Sequence, residues 1–249
     1  MKISAIILTK NEEIKIEDTI KSLLFCDEII VVDDESSDET VKKAKHAGAI
    51  VFNHAKNKEF AGQRNWAMKQ AKNEWVLFID ADEDVSENMK NEIIKLLPEE
   101  NVSAYKIPRR DFFWNTELKF GETRKVRTEG IIRLMRKGSG VWIGAVHETF
   151  VTAGQINKLH TYINHHSHES ISSFIEDINT YSTLRAIELA QQGRKVSTFE
   201  LILFPTGKFI YTYLFLGGFI DGPAGFVYSF LMSFHSFLVR AKLATKSYV

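Results

Sequence analysis

The side chains best suited to chemistry in this 249-residue chain are carboxylates gathered in short clusters. Asp80-Ala81-Asp82-Glu83-Asp84 places four acids within five positions, and Asp33-Asp34 places two side by side. Oxygen ligands of this type suit a hard divalent cation such as Mg2+ or Mn2+. The spacing Asp80-x-Asp82 sends both side chains to one side if the segment is extended, so both could approach one ion and the diphosphate it carries. By itself such a pair is weak, because acidic pairs are common in solvated loops. Five of the eight histidines fall between positions 147 and 168, namely His147, His160, His165, His166 and His168. No cysteine accompanies them and no His-x-x-x-His helix is set up, which disfavours a zinc cage.

The elements that must position these groups follow from the alternation of short apolar runs with helical patterns over the first hundred residues, the layout of a parallel sheet covered by helices. Strands are expected at Ile3 to Leu8, Glu28 to Val32, Ala49 to Phe52 and Trp75 to Ile79. The helices between them are expected over Glu17 to Phe25, from the N-caps Ser36, Ser37 and Asp38 to His46, and over Phe60 to Ala71. Ser86 caps a further helix toward Leu97. Ligands of an open α/β sheet bind outside the carboxyl ends of its strands. Thr9, Asn11 and Glu12 after strand one, Asp33 and Asp34 after strand two, and Asp80, Asp82 and Glu83 after strand four should therefore share one crevice. From about Val102 to Asn164 the pattern changes to short β-like runs, at Ala104 to Ile107, Gly130 to Met135 and Thr149 to Val151. Ile171 to Gln192 then reads as an amphipathic helix stopped by Gly193.

Composition bounds the function. With 32 basic and 32 acidic residues the formal charge is zero, which argues against a nucleic-acid partner. That zero conceals an asymmetry: residues 1–100 carry 14 basic and 21 acidic side chains, and the rest of the chain 18 and 11. The single cysteine, Cys26, excludes an internal disulfide and reads as a small buried apolar residue. The apolar run before Lys10 is too short for a signal peptide, so a cytoplasmic protein is expected. Positions 199–249 hold nine of the 18 phenylalanines. Phe226, Phe230, Phe234 and Phe237 recur at helical spacing, with Arg240, Lys242 and Lys246 just beyond. Such a helix could lie on an anionic membrane surface, or pack on the protein's own core or on a second copy. No Gly-x-x-x-x-Gly-Lys or Gly-x-Gly-x-x-Gly loop follows strand one, so P-loop and dinucleotide chemistries lack their phosphate cradle. No Gly-x-Ser-x-Gly is present either.

Four segments in order along the chain, Ile3-Ser4-Ala5-Ile6-Ile7-Leu8-Thr9-Lys10-Asn11-Glu12-Glu13, Val31-Val32-Asp33-Asp34-Glu35-Ser36-Ser37-Asp38, Gln63-Arg64-Asn65 and Phe78-Ile79-Asp80-Ala81-Asp82-Glu83, resemble a family 2 glycosyltransferase. Ile107-Pro108-Arg109-Arg110, Val146-His147-Glu148 and Gly218-Phe219-Ile220-Asp221-Gly222 are similar to the subgroup of bacterial lipopolysaccharide core beta-glucosyltransferases. The resemblance implies a GT-A fold: a Rossmann-like, mixed but mostly parallel sheet flanked by helices, over residues 1–195. Residues 196–249 are then an aromatic-rich helical appendage. It also implies a UDP-sugar donor, Mg2+ or Mn2+, inversion at the anomeric carbon and a lipopolysaccharide-core or other glycolipid acceptor, with the protein peripheral on the inner face of the cytoplasmic membrane.

By position, Thr9 with Asn11 and Glu12, and Asp33 or Asp34, would hold base and ribose, and Arg64 would touch the nucleotide. Asp80 would face ribose or metal, Asp82 would ligate the metal, and His165 would complete its shell, with His147 a further candidate. Glu148 stands where such enzymes place the acid that takes the acceptor hydroxyl's proton. This subgroup commonly shows Asp-Ser-Gly-Ser where this chain has Asp33-Asp34-Glu35-Ser36, which leaves open which aspartate meets the uracil. The rival expectation is a membrane-peripheral scaffold that keeps the fold without turnover, a protein with no need for Asp80, Asp82 and Glu148 together.

Overall fold

A computed structural model describes residues 2–55, 60–97, 101–144, 148–168 and 170–245. Strands β1 (Ile3–Thr9), β2 (Glu28–Asp33), β3 (Ile50–Asn53) and β4 (Trp75–Asp80) alternate with helices α1 (Ile16–Ser22), α2 (Thr40–His46) and α3 (Phe60–Gln70). After β4 come β5 (Glu83–Val85), α4 (Glu87–Leu96) and β6 (Val102–Ile107). They are followed by β7 (Arg109–Phe113), β8 (Thr116–Leu118), α5 (Arg124–Glu129), β9 (Ile131–Arg136), β10 (Gly140–Ile143), β11 (Thr149–Thr152), β12 (Gln155–Lys158) and β13 (Ile163–His168). Three helices close the chain: α6 (Ile171–Gln191), α7 (Thr198–Ile210) and α8 (Gly222–Thr245).

The chain forms two compact units, residues 1–109 with 126–165, and residues 110–125 with 166–249. The first is built on a seven-stranded sheet in the order β12-β6-β9-β4-β1-β2-β3. β1 pairs in parallel with β2 and β4, and β2 with β3. β9 enters antiparallel between β4 and β6, so the sheet is mixed with a parallel heart. The expected strands are all present within a residue or two. β1 and β4 are buried on both faces because helices cover both sides. One face carries Ile3, Ala5, Ile7, Leu77 and Ile79 with Ile16, Ile20, Met89 and Ile93 of α1 and α4. The other carries Ile6, Val76 and Phe78 with Ala67 and Met68 of α3 and with Trp142 and Phe150. Ser86 caps α4, its hydroxyl accepting from Met89 N, as its sequence position predicts.

The second unit has its own core, Phe113, Leu118, Phe174, Ile178, Ala224 and Leu231. Here α6 packs against α8, and α8 against α7. Gly193, at φ 72°, stops α6 where the sequence predicts. Between α7 and α8 lie a π-helical turn at Tyr211–Phe215 and a 3-10 turn at Gly218–Asp221. A Cβ on Gly225 would stand 2.0 Å from the carbonyl oxygen of Gly218, which explains the glycine at that crossing. The segment Gly218–Thr245 is long and apolar enough to cross a membrane, by length and composition, and 33% of its most apolar window is buried in the protein.

Candidate active site

Register places the sequence-predicted carboxylates at one edge of the sheet. Thr9 lies opposite Asp33 across the β1–β2 pairing, and Leu8 lies opposite Asp80 across β1–β4. The Thr9 hydroxyl is buried without a hydrogen-bond partner among the described residues. The loops after β1 and β2 are zipped together by Asn11, at φ 55°, whose side-chain oxygen accepts from Ser37 N at 2.8 Å. Its backbone N–H donates to Ser36 Oγ. Glu12 N donates to Thr40 Oγ1, and its carbonyl accepts from Lys15 and Ile16 at the start of α1. Asp33, 1% exposed, has both oxygens engaged by Ser36, through its N–H at 2.9 Å and its hydroxyl at 2.5 Å. Asp34 pairs with Lys10 at 3.4 Å. Ser36 and Ser37, expected to cap α2, are spent on this loop, and α2 starts later, at Thr40, beside the Asp38 carboxylate.

The centre of the site is a network of alternating charge. Arg64 on α3 donates from Nε to Glu148 at 2.8 Å and from Nη2 to Asp80 at 3.2 Å. Arg133, the one charged residue inside Ile131–Met135 of β9, forks onto Asp80 with both terminal nitrogens and reaches Glu83 at 3.1 Å. Glu83 closes the ring by accepting from Asp80 N at 2.9 Å, with Arg109 3.6 Å away. Burial alone would raise the Asp80 pKa, yet the Arg133 and Arg64 guanidiniums hold its carboxyl far below the usual range. Glu83 goes the other way: full burial, helped by the Asp80 charge, pushes it up against the opposing pull of Arg133 and Arg109. Arg133 itself is driven upward, its desolvation outweighed by Asp80 and Glu83.

Residues 81–82 form a turn rather than the extended segment expected, because Glu83 folds back onto the Asp80 amide. The two aspartates therefore meet different partners. Asp82 Oδ2 lies 3.2 Å from His165 Nε2 on β13. Burial raises the Asp82 pKa, but the charge and hydrogen bond of His165, with the charge of Lys15, together leave it lowered, so the carboxylate is favoured. That separation is close to the about 3.0 Å edge of an octahedron whose ligands stand about 2.1 Å from Mg2+. The pair thus has the chemistry and spacing of two neighbouring ligands, and no group of three His, Cys, Asp or Glu suited to an ion occurs among the described residues. His166, on the opposite side of its strand, stacks on Phe112. His147 lies outside the described residues.

Gln63-Arg64-Asn65 works as a triplet with three targets. Gln63 donates to the His54 carbonyl at 2.7 Å, while Asn65 exchanges two hydrogen bonds with the Trp142 backbone, at 2.8 and 2.9 Å. This clamps the β10–β11 hairpin, at whose far arm Glu148 immediately precedes Thr149. The Trp142 ring packs on Phe78 and Phe150 and lies 4.9 Å from the Arg64 guanidinium. Glu148 and Asp80, 68 positions apart in the chain, are thereby joined through one side chain. Sequence reasoning missed Arg133. Its signal was an arginine flanked on both sides by apolar residues, Ile131-Ile132 and Leu134-Met135, a position that needs a buried anion.

A mixed sheet of this order, covered on both faces and with its polar residues at the carboxyl edge, is a GT-A fold. The model of glycosyl transferase family 2 matches residues 4–168, and the chain belongs to that family of glycosyltransferases. It is 33% identical over 258 residues to an uncharacterized glycosyltransferase of Rickettsia typhi, covering 97% of this chain and 86% of that one. It is 29% identical over 252 residues to the lipopolysaccharide core biosynthesis glycosyltransferase LpsC of Rhizobium meliloti, covering 98% and 92%. Among solved structures it is similar to the mannosyltransferase PcManGT of Pyrobaculum calidifontis in complex with GDP-Man and Mn2+, with a TM-score of 0.59 and 14% identity over 97% of this chain and 86% of that one. S. aureus TarS 1-349 in complex with UDP-GlcNAc gives 0.51 and 19%, over 98% and 84%.

Proposed function

We propose that this glycosyltransferase moves a hexose, glucose foremost, with inversion from a UDP-sugar to a hydroxyl of a lipopolysaccharide-core or other glycolipid acceptor. The observation that carries this reading is the bridge Glu148–Arg64–Asp80 beside the Asp82–His165 pair. A carboxylate, guanidiniums and a carboxylate–imidazole pair at one sheet edge support the roles of proton acceptor, diphosphate partner and metal ligands. Inverting transfer needs a base for the attacking hydroxyl and stabilisation of the departing diphosphate. Glu148 takes the acceptor proton. Arg64 lies against the diphosphate. Thr9 offers its unpaired hydroxyl to the nucleotide, and Asp34 rather than Asp33 faces base and ribose, because Ser36 occupies the Asp33 carboxylate. Asp82 and His165 hold Mg2+ or Mn2+, which when bound supplies positive charge to the leaving diphosphate. Residues 1–195 carry the transfer, and 196–249 are the appendage that rests the protein on the inner face of the cytoplasmic membrane, near a lipid-linked acceptor. The similarity to LpsC supports the acceptor class.

A panel of nucleotide sugars incubated with Mn2+ tests the donor by slow hydrolysis. Glu148→Gln is expected to lower transfer by about 10² or more, the scale of losing a general base. Asp82→Ala is expected to abolish metal-dependent hydrolysis with folding retained. Full activity in either variant removes that residue's role, and no hydrolysis of any donor favours the scaffold.

A further inference from the structure

We infer that Arg64 is shared between Glu148 and the donor: in the donor-free protein it occupies Glu148, and the donor's diphosphate draws it away and frees the carboxylate. This rests on the donor and base assignments above. Arg64 is 5% exposed, and its guanidinium sits 4.9 Å from the Trp142 ring and 5.2 Å from that of Phe78, so it has few places to go. Its Nε donates to Glu148 and its Nη2 to Asp80, while Nη1 is buried without a hydrogen-bond partner among the described residues. A buried guanidinium with an unused donor has capacity for a further acceptor, and a diphosphate is an acceptor it binds in the same fork geometry as a carboxylate.

The two carboxylates differ in what they lose if Arg64 turns to the donor. Asp80 keeps Arg133 on both oxygens. Glu148 has Arg64 as its single hydrogen-bond partner among the described residues, so it alone is released. While Nε–H fills Oε1, that lone pair is offered to no acceptor hydroxyl. Oε1 is therefore fully open to an acceptor hydroxyl only with the donor in place, while Oε2 accepts no hydrogen bond among the described residues. The exchange is a competition between two anions for one cation, and competition is reciprocal: whatever weakens Glu148's hold must strengthen the donor's.

The test is a double-substitution cycle on UDP binding by the full chain in Mg2+, read by calorimetry, which needs no turnover. Glu148→Gln removes the competing charge with little change of shape, and UDP is expected to bind about fivefold tighter or more, the scale of one charge-assisted hydrogen bond. Arg64→Gln weakens UDP, and Glu148→Gln added to it changes nothing further. Arg64→Lys, which keeps the charge without the fork, gives a reduced but finite coupling. An unchanged or weaker affinity in Glu148→Gln overturns the inference, as does tightening that survives in Arg64→Gln. Coupling failure with normal UDP binding sinks only this inference. Absence of UDP binding by the unsubstituted protein sinks the donor reading and this inference with it.

Discussion

Asp80, Glu83 and Arg133 make a closed ring whose members cannot be removed singly without leaving a buried charge. Breaking such a pair costs about 3–5 kcal/mol, since the surviving ion has lost both water and partner. Arg133→Leu is expected to lower unfolding free energy by about that amount in a urea titration, and Arg133→Lys, which keeps charge but not the fork, by less. A loss below about 1 kcal/mol would mean that the ring does not hold the strand ends together. The carboxylates of this ring were legible because acids at a strand's carboxyl end announce a site. Their counter-ions were not. Arg64 stands in a motif, Gln63-Arg64-Asn65, that does not encode its partners, and Arg133 lies in a strand 50 residues beyond Glu83. Nothing local in the sequence says that β9 inserts between β4 and β6 and delivers its arginine to Asp80. The Ser36 bonds that set Asp33 apart from Asp34 are likewise contacts that spacing does not encode.

At the scale of elements, the βα repeats were readable because both periods are strong there: apolar runs for buried parallel strands, and Ile20 or Ile93 at helical spacing. The short strands were not. β5 reads as an acidic loop and β13 as a polar histidine tract, yet they pair antiparallel, His165 opposite Glu83, and this pairing brings His165 to Asp82. The approach to β13 is pinned by Glu92 of α4, whose carboxylate accepts from His160 N, Thr161 N and Thr161 Oγ1 at 2.8, 2.9 and 2.5 Å. Burial would raise its pKa, but the Thr161 and His160 bonds together lower it. A carboxylate depressed in the folded state stabilises fully above its unfolded pKa, and that stabilisation is lost as pH falls toward the folded value. Wild type should therefore exceed Glu92→Gln in Tm at about pH 7, and the gap should narrow progressively as pH falls below the ordinary glutamate value of about 4.3. A constant gap would assign the effect to packing.

The clamp between Asn65 and Trp142 makes a second prediction for elements. Asn65→Ala removes both bonds to the hairpin at a net cost of about 1–3 kcal/mol. Because the hairpin carries Glu148, kcat should fall more than UDP affinity. Equal loss in both would mean that the clamp serves the helix and not the base.

For the molecule as a whole, the carboxyl-terminal helices bury an apolar core that includes Leu231, Val239 and Leu243, yet leave many large apolar side chains exposed as well. On α8 the small and hydroxyl residues Ala224, Gly225, Ser229, Ser233 and Ser236 are buried within the unit, while Phe226, Phe230 and Phe237 are exposed. Ser233 donates to the Pro205 carbonyl of α7, and Lys242 holds Asn179 and Thr183 of α6. Polar groups are thus satisfied within the unit, and apolar rings are left to its surroundings, the pattern of helices packed in lipid. No residue of α7 is buried, and Phe199 and Phe215 are 77% and 74% exposed. Exposed apolar area on this scale marks an interaction surface. Asp221 accepts from Lys119 N and Phe120 N, which ties the stretch 119–125, with exposed Arg124 and Lys125, to the turn carrying Phe219 and Ile220. Cations beside an aromatic rim fit anionic headgroups. The full chain should therefore float with vesicles containing anionic lipid and less with neutral ones. Phe215→Ser with Phe219→Ser should reduce flotation severalfold while leaving slow donor hydrolysis unchanged. If flotation is absent and the chain instead sediments as a dimer that the same pair disrupts, a second copy covers this face and the membrane assignment is wrong.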